Sequence, residues 1–173
     1  RPADHFRDRP EQVHERGDRV RPGLQQRPAA GPEEGGGVRV ETAALLLRAG
    51  ELRDELAADG VRLGSSSDTE LIAALVANDP APLPEAVANA MGRLEGAYSV
   101  TALSEDRLVA FRDPHGFRPL VLGRIADGWV VASETCALDL VGAELERELA
   151  PGELVLIDEQ GVRSRQAVEP ADH

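Results

Sequence analysis

Three short polar blocks carry most of the side chains in this sequence that could take part in chemistry. Residues 67–70 read SDTE, residues 112–120 read RDPHGFRPL, and residues 133–139 read SETCALD. They supply a carboxylate at Asp68, an imidazole at His115 and the single thiol of the chain at Cys136. A carboxylate can pair with a cationic group, an imidazole can move protons or bind a metal, and a thiolate can act as nucleophile or ligand.

Two of these side chains also have a purely structural interpretation. A Ser or Asp ahead of an apolar helical run is a good N-cap, so Asp68 could simply cap the helix that follows it, or Ser67 could cap it and leave the Asp68 carboxylate to point into a pocket. Glu70 stands three residues after Ser67, which is the spacing of a capping box. A lone cysteine in apolar surroundings is typical of inert core, and the bare sequence predicts this for Cys136.

The residues around His115 have the composition of a tight turn. Pro114 and Gly116 flank it, and no second histidine or carboxylate stands at metal-ligand spacing, so we interpret His115 as a turn residue. Arg112, Asp113 and Arg118 border the same turn. We expect them to form a salt-bridged structural loop.

Hydrophobic periodicity predicts an α+β chain. Helical spacing of apolar residues predicts helices at 41–58, with a possible break at Gly50, and at 69–78, 84–95 and 135–141. Alternating runs between turn residues predict strands at 97–103, 107–112, 119–125, 128–132, 145–149 and 153–158, joined as consecutive antiparallel neighbours. A further short strand is expected at 61–63.

Composition separates the two ends from the middle of the chain. Residues 1–40 are rich in Pro, Gly and Arg and lack apolar periodicity, which predicts a disordered or non-native N-terminal segment. The folded domain is expected at 41–166, followed by a frayed tail at 167–173.

The net charge of −12 argues against nucleic acid and anionic membranes as partners. One cysteine and the lack of a secretory signal or spanning run make the cytoplasm the expected location.

From about Gly50 to Gln166, the order of elements and blocks resembles the second half of a class II glutamine amidotransferase domain. GAYS at 96–99 and PGE at 151–153 add to this resemblance. RDPHGFRPL and SETCALD are most similar to amidophosphoribosyltransferase. The resemblance implies a partial N-terminal nucleophile hydrolase fold, an αββα sandwich of antiparallel sheets. It also implies the glutaminase portion of an enzyme that passes glutamine-derived ammonia to phosphoribosyl pyrophosphate, giving phosphoribosylamine for de novo purine synthesis.

The resemblance assigns roles to two residues of this sequence. Asp68 would bind the α-ammonium group of glutamine, and Cys136 would be one ligand of the iron–sulfur cluster found in some members. A cluster usually needs four thiolates, so we expect no cofactor in this chain, although a cluster and Mg are implied for the intact enzyme. The implied partners are glutamine, bound weakly or not at all, and a phosphoribosyl-transfer domain or further copies of the chain.

Residues 1–49 depart from the family pattern. That region should hold an N-terminal Cys nucleophile, whose free amine is the base, a GHxRYST block and the HNGN block of oxyanion donors. The chain starts at Arg1 and contains none of them. We therefore expect no glutaminase activity from this chain alone. A frameshifted gene start would explain the segment, a hypothesis that translation of the upstream DNA in three frames tests.

Two readings without catalysis stay open beside the enzyme portion. One is a degenerate amidotransferase module that binds glutamine or a partner through what survives, including Asp68. The other is a structural remnant, in which missing strands would leave sheet edges and an apolar face exposed.

Overall fold

The computed structural model describes residues 13–15, 18–19, 38–103, 106–126 and 128–171. The strands in these residues are β1 (Val13–Glu15), β2 (Asp18–Arg19), β3 (Val38–Leu46), β4 (Gly96–Leu103), β5 (Arg107–Arg112), β6 (Val121–Ile125), β7 (Gly128–Ala132), β8 (Glu144–Glu148), β9 (Glu153–Asp158) and β10 (Gly161–Gln166). The helices are α1 (Ala49–Ala58), α2 (Asp68–Ala77), α3 (Leu83–Met91) and α4 (Thr135–Val141). Within this described part, no helix has the length and apolar character needed to cross a bilayer.

The strands form two sheets of different width. The large sheet has the order β10-β9-β5-β4-β3-β1-β2, and the small sheet has the order β7-β6-β8. Neighbours are antiparallel except for β1 and β3, which run parallel. In the large sheet, β5 lies between β4 and β9, with Ala110 opposite Thr101 on one side and Val155 on the other.

Alternating side chains on the strands define four layers. On β5, Val109 and Phe111 pack with apolar residues of α1, α2 and α3, whereas Ala110 points the other way, into a core shared with the small sheet. On β6, Leu122 belongs to that shared core and Val121 packs beneath α4. The order is therefore three helices, large sheet, small sheet, one helix. This is the αββα sandwich that the family resemblance implies.

The first predicted helix, at 41–58, is wrong over its first part. The chain forms β3 as far as Leu46, which pairs with Gly96 of β4, and α1 begins only at Ala49. The apolar run at 43–47 suits a strand or a helix, and pairing with a strand distant in sequence decides between them. Gly50 lies in the first turn of α1 and does not break it.

The other predicted helices and strands are present, with ends displaced by four residues at most. Two differences concern short or polar segments. The predicted strand at 61–63 is irregular, whereas 161–166 forms the unpredicted strand β10. β10 pairs with β9 along its whole length and lies at the edge of the large sheet. Because its side chains are partly exposed, they are mostly polar and do not show the apolar alternation that predicts a strand.

The two ends of the chain differ in how much of them is described. Most of the predicted disordered segment at 1–40 lies outside the described residues. Its described pieces are β1, β2 and the start of β3, so the boundary predicted at residue 41 falls inside a strand.

The C-terminal tail, predicted to fray from residue 167, is held in place as far as Ala171. The amides of Ala167 and Val168 donate to the Gly152 carbonyl at 3.0 and 3.2 Å, and the Ala171 amide donates to the Pro114 carbonyl at 2.9 Å. Because backbone groups form these bonds, the side chains of the tail could not predict that it is ordered. Residues 172–173 lie outside the described range.

An ion pair joins the two sheets. Arg147 of β8 donates from both Nη atoms to the carboxylate of Glu153 on β9, at 2.8 and 2.7 Å, and the Ala150 amide adds a third bond at 2.7 Å. Burial alone would raise the pKa of Glu153. The bonds from Arg147, the Ala150 amide and the Ser164 hydroxyl outweigh it, so this pKa lies below its ordinary value.

We expect Glu153→Gln to lower the free energy of unfolding by about 2 kcal/mol at neutral pH, because charge-assisted bonds are lost. The folded-state pKa is depressed, so this contribution is complete above the pKa of the unfolded carboxyl. It is lost as the pH falls through the folded value. The difference in unfolding free energy between wild type and variant should therefore shrink as the pH falls. Urea titrations from neutral to acidic pH measure it.

Glu159→Gln is the matched control, since Glu159 is exposed in the turn after β9. It should leave the free energy of unfolding unchanged at each pH. A gap for Glu153→Gln that stays constant with pH would contradict the role given to this carboxylate.

Candidate functional site

Asp68 is the first residue of α2 and lies beside the end of β3. Ser67 takes the N-cap position, and its hydroxyl accepts from the Thr69 amide at 3.1 Å. Asp68 Oδ2 instead accepts from the amide of Leu46 at 3.1 Å, and Oδ1 lies 3.9 Å from Nη2 of Arg53. The interpretation of Asp68 as a helix cap is therefore wrong, because Ser67 fills that position and frees the carboxylate to reach β3.

The residues just before Asp68 form a tightly bonded turn, 64–67, which we call the serine loop. The Glu70 side chain is 2% exposed, and its carboxylate accepts from the Gly64 amide at 2.5 Å and from the Ser65 amide and hydroxyl at 2.7 and 2.6 Å. A capping box would have Glu70 bound to the Ser67 amide, which instead donates to Ser65 Oγ at 3.2 Å. The prediction that Ser67 caps the helix is confirmed, whereas the predicted bond from the Ser67 amide to Glu70 is wrong.

Arg53 of α1 binds the carbonyl groups of the serine loop, whereas Glu70 binds its amide and hydroxyl groups. Its Nη1 donates to the Ser65 carbonyl at 3.0 Å, and its Nη2 donates to the Ser67 carbonyl at 2.6 Å. The loop thus lies between a buried anion and a cation. The Asp68 side chain remains 24% exposed, so its carboxylate can be reached from solvent.

The second block is organised by Arg112, a buried side chain at the end of β5. Its guanidinium donates to the carbonyls of Gly116, Arg118 and Leu149, at 2.7, 2.7 and 2.6 Å, and pairs with Glu148 Oε1 at 2.7 Å. These partners come from the turn after β5 and from the end of β8. Arg112 therefore fixes the turn and ties it to the small sheet.

Asp113 fixes the other side of the same turn. It is fully buried, with Oδ1 accepting from the amides of His115 and Phe117 at 2.9 and 3.3 Å and Oδ2 from the amide of Tyr98 at 3.3 Å. Burial, with the Asp113 charge adding to it, raises the pKa of the Tyr98 phenol. The turn is a structural loop, as predicted, but the expected salt bridges among its side chains are wrong for the described residues. Arg112 pairs with Glu148, Asp113 accepts from backbone amides, and Arg118 contributes its carbonyl.

His115 is a turn residue, as predicted. Gly116 has φ +64°, and a Cβ there would stand 2.9 Å from Pro151 Cγ, so glycine is required at this position. The His115 ring stacks on Phe117 with centroids 4.8 Å apart and an interplanar angle of 23°.

Cys136 is exposed on α4, so the prediction of a core cysteine is wrong. Leu138 is the buried residue of this helix, and the Cys136 thiol lies 3.4 Å from Glu134 Oε2. The chain has a single cysteine and a cluster usually needs four, so an iron–sulfur cluster does not fit this chain alone. In the described ranges, no three His, Cys, Asp or Glu side chains come together as a metal site.

Asp68 and Cys136 do not share a site. Asp68 begins a helix that packs on the large sheet, whereas α4 covers the far side of the small sheet, so both sheets lie between them. Sequence reasoning missed Arg53, because it comes from another helix and no spacing links it to the serine loop. The spacing of Glu70 from Ser67 indicates a role at the helix start, but it does not reveal the partners of Glu70, Gly64 and Ser65.

A family match begins earlier in the chain than the start near Gly50 that the resemblance predicts. The family described as "Glutamine amidotransferase domain" matches residues 25–140. The chain is 48% identical to amidophosphoribosyltransferase 2, chloroplastic, of Arabidopsis thaliana over 74% of its length, and 44% identical to the amidophosphoribosyltransferase of Mycobacterium tuberculosis over 76%. It spans 23% and 25% of the lengths of these relatives, about a quarter.

The fold comparison points the same way. The chain is similar to the glutamine phosphoribosylpyrophosphate amidotransferase of B. subtilis, solved with ADP and GMP, with a TM-score of 0.75 and 35% identity. The similarity covers 79% of this chain and 30% of that one.

Arg112→Lys should cost about 3 kcal/mol of unfolding free energy, because an ammonium group cannot reproduce the directed bonds of a buried guanidinium. Arg118→Lys, in the same block but exposed, should stay within about 0.5 kcal/mol of wild type. Urea denaturation measures both. Equal losses for the two variants would contradict the role of Arg112 as the centre of the turn.

Cys136 should react with dithionitrobenzoate in the folded protein at a rate close to that in urea. A core thiol would react slower by on the order of a thousandfold, since it must wait for the protein to open. Absorbance of the released thiol measures both rates, and Cys136→Ser is the blank. Strong protection in the folded state would refute the exposed position.

Proposed function

Because the chain belongs to the glutamine amidotransferase domain family, we propose that it is the glutaminase portion of an amidophosphoribosyltransferase-like enzyme. In the intact enzyme, ammonia from glutamine passes to phosphoribosyl pyrophosphate and gives phosphoribosylamine, the first step of de novo purine synthesis. Identities of 44–50% to named amidophosphoribosyltransferases support this proposal. The observation that carries it in this chain is the solvent-accessible carboxylate of Asp68, which accepts a hydrogen bond from the Leu46 amide at the end of β3.

Asp68 binds the α-ammonium group of glutamine in this proposal. One oxygen of its carboxylate is used by the Leu46 amide. The other lies 3.9 Å from Arg53, which is beyond hydrogen-bond distance and leaves it able to accept from a ligand. A charge-assisted bond at this oxygen would orient the amino acid and discriminate against ligands without an amine.

The chain alone does not hydrolyse glutamine in this proposal. The 173 residues contain neither the GHxRYST block nor the HNGN block of the resembled family. The one thiol, Cys136, is internal and separated from Asp68 by both sheets. A phosphoribosyl-transfer domain and the remaining glutaminase residues would have to come from elsewhere in the intact enzyme.

A cytoplasmic location completes the proposal. The single, exposed thiol of Cys136 suits a reducing compartment.

Calorimetry with L-glutamine and an ammonia-release assay test this proposal together. Binding should be weak, with Kd on the order of 1 mM, since only one charged group of the ligand has a partner here. Binding should vanish in Asp68→Ala and persist in Asp139→Ala, a matched control on the exposed side of α4. No ammonia should be released.

Two outcomes would contradict the proposal. Absence of heat with wild-type protein would remove the ligand role of Asp68. Ammonia release by the wild-type chain above the level without protein would contradict the expected lack of glutamine hydrolysis. If glutamine binds without any transfer activity in the organism, the chain is a glutamine-binding module that has lost its chemistry.

A further inference from the structure

We propose that Glu70 is a positioning residue for the Asp68 carboxylate, an inference that rests on the proposed role of Asp68 in holding an ammonium group. Glu70 does not contact the ligand in this proposal. It acts through the serine loop, whose conformation sets where the carboxylate stands.

The burial of Glu70 makes the serine loop and this carboxylate dependent on each other. A carboxylate that is 2% exposed is costly unless donors surround it. All three donors to Glu70 come from Gly64 and Ser65. The charge can therefore stay buried only while the loop keeps this conformation, and the loop is held by the charge.

A series of hydrogen bonds runs from Glu70 to the start of α2. The Ser65 hydroxyl donates to Glu70, and its oxygen accepts from the Ser67 amide. The Ser67 hydroxyl in turn accepts from the Thr69 amide. The bonds of this series hold the peptide unit between residues 66 and 67 and the unit between Asp68 and Thr69.

Arg53 closes the loop from the other side, where it binds the Ser65 and Ser67 carbonyls. The peptide unit before Ser65 is held through its amide by the Glu70 anion, and the unit after Ser65 is held through its carbonyl by the Arg53 cation, so neither can rotate without losing a charged partner. A carboxylate held in one direction before binding gives up less conformational freedom when the ligand arrives, which favours affinity.

Glu70→Gln tests the inference while conserving size. The amide nitrogen of glutamine would face the donors of the serine loop, so at least one bond is lost. We expect glutamine binding to weaken about tenfold and hydrogen exchange of the Leu46 amide, which donates to Asp68, to speed up about tenfold. Glu55→Gln, which breaks only an exposed pair with Arg93, is the matched control and should change neither.

A double-mutant cycle separates positioning from general destabilisation. If Glu70 acts through Asp68, Glu70→Gln should add nothing to the Leu46 exchange rate in an Asp68→Ala background. A general effect would speed exchange of many amides equally in both backgrounds, and that result would overturn the inference. Unchanged Leu46 exchange in Glu70→Gln would overturn it as well.

Failure of glutamine binding and failure of the variant to fold can each be told apart from failure of the inference. If wild-type protein binds no glutamine, the proposed function fails, but exchange at Leu46 still decides whether Glu70 positions Asp68. If Glu70→Gln does not fold, Ser65→Ala removes two of the bonds in the series and should shift Leu46 exchange in the same direction by a smaller factor.

Discussion

The buried guanidinium of Arg112 is the constraint on which the sandwich depends. A cation taken out of water must have partners on every side, and here they are three carbonyls and one carboxylate. Two of those carbonyls belong to the turn after β5 and one to Leu149 beyond β8. The turn must therefore fold over Arg112, and the small sheet must stay against the large one, for the charge to be satisfied.

The same principle operates on a smaller scale at the serine loop. Glu70 and Asp68 are carboxylates two residues apart on one helix, yet their surroundings give them different parts. Glu70 is buried and surrounded by donors, so it can only hold structure. Asp68 is partly exposed and has an oxygen without a close donor among the described residues, so it can meet a ligand. Environment, more than residue type, distinguishes a structural from a binding carboxylate here.

Much of the strand-rich half could be predicted from sequence, because alternation and turn residues are local signals. β5, β7 and β9 appear at the residues predicted for them, as does α4. β3 and β10 could not be predicted in this way, since their pairing partners decide them and not their own periodicity. Cys136 was misplaced for a related reason: on a helix of two turns, composition does not reveal which side faces the sheet.

The site was predictable only in outline. Asp68 was singled out by resemblance, but its bond to Leu46 and its neighbour Arg53 come from β3 and α1, and local spacing says nothing about either. Local spacing offers only local partners, which is why a helix cap was the natural interpretation. The network that holds Asp68 is a product of tertiary structure.

The most direct test of this account is a titration of ¹⁵N-labelled protein with L-glutamine, followed residue by residue in amide spectra. The account predicts shifts confined to Leu46, the serine loop and the first turn of α2, which disappear with a ligand that lacks the amine. Shifts centred on α4 near Cys136, or no shifts at saturating glutamine, would contradict the claim that the Asp68 carboxylate is where this chain meets its ligand.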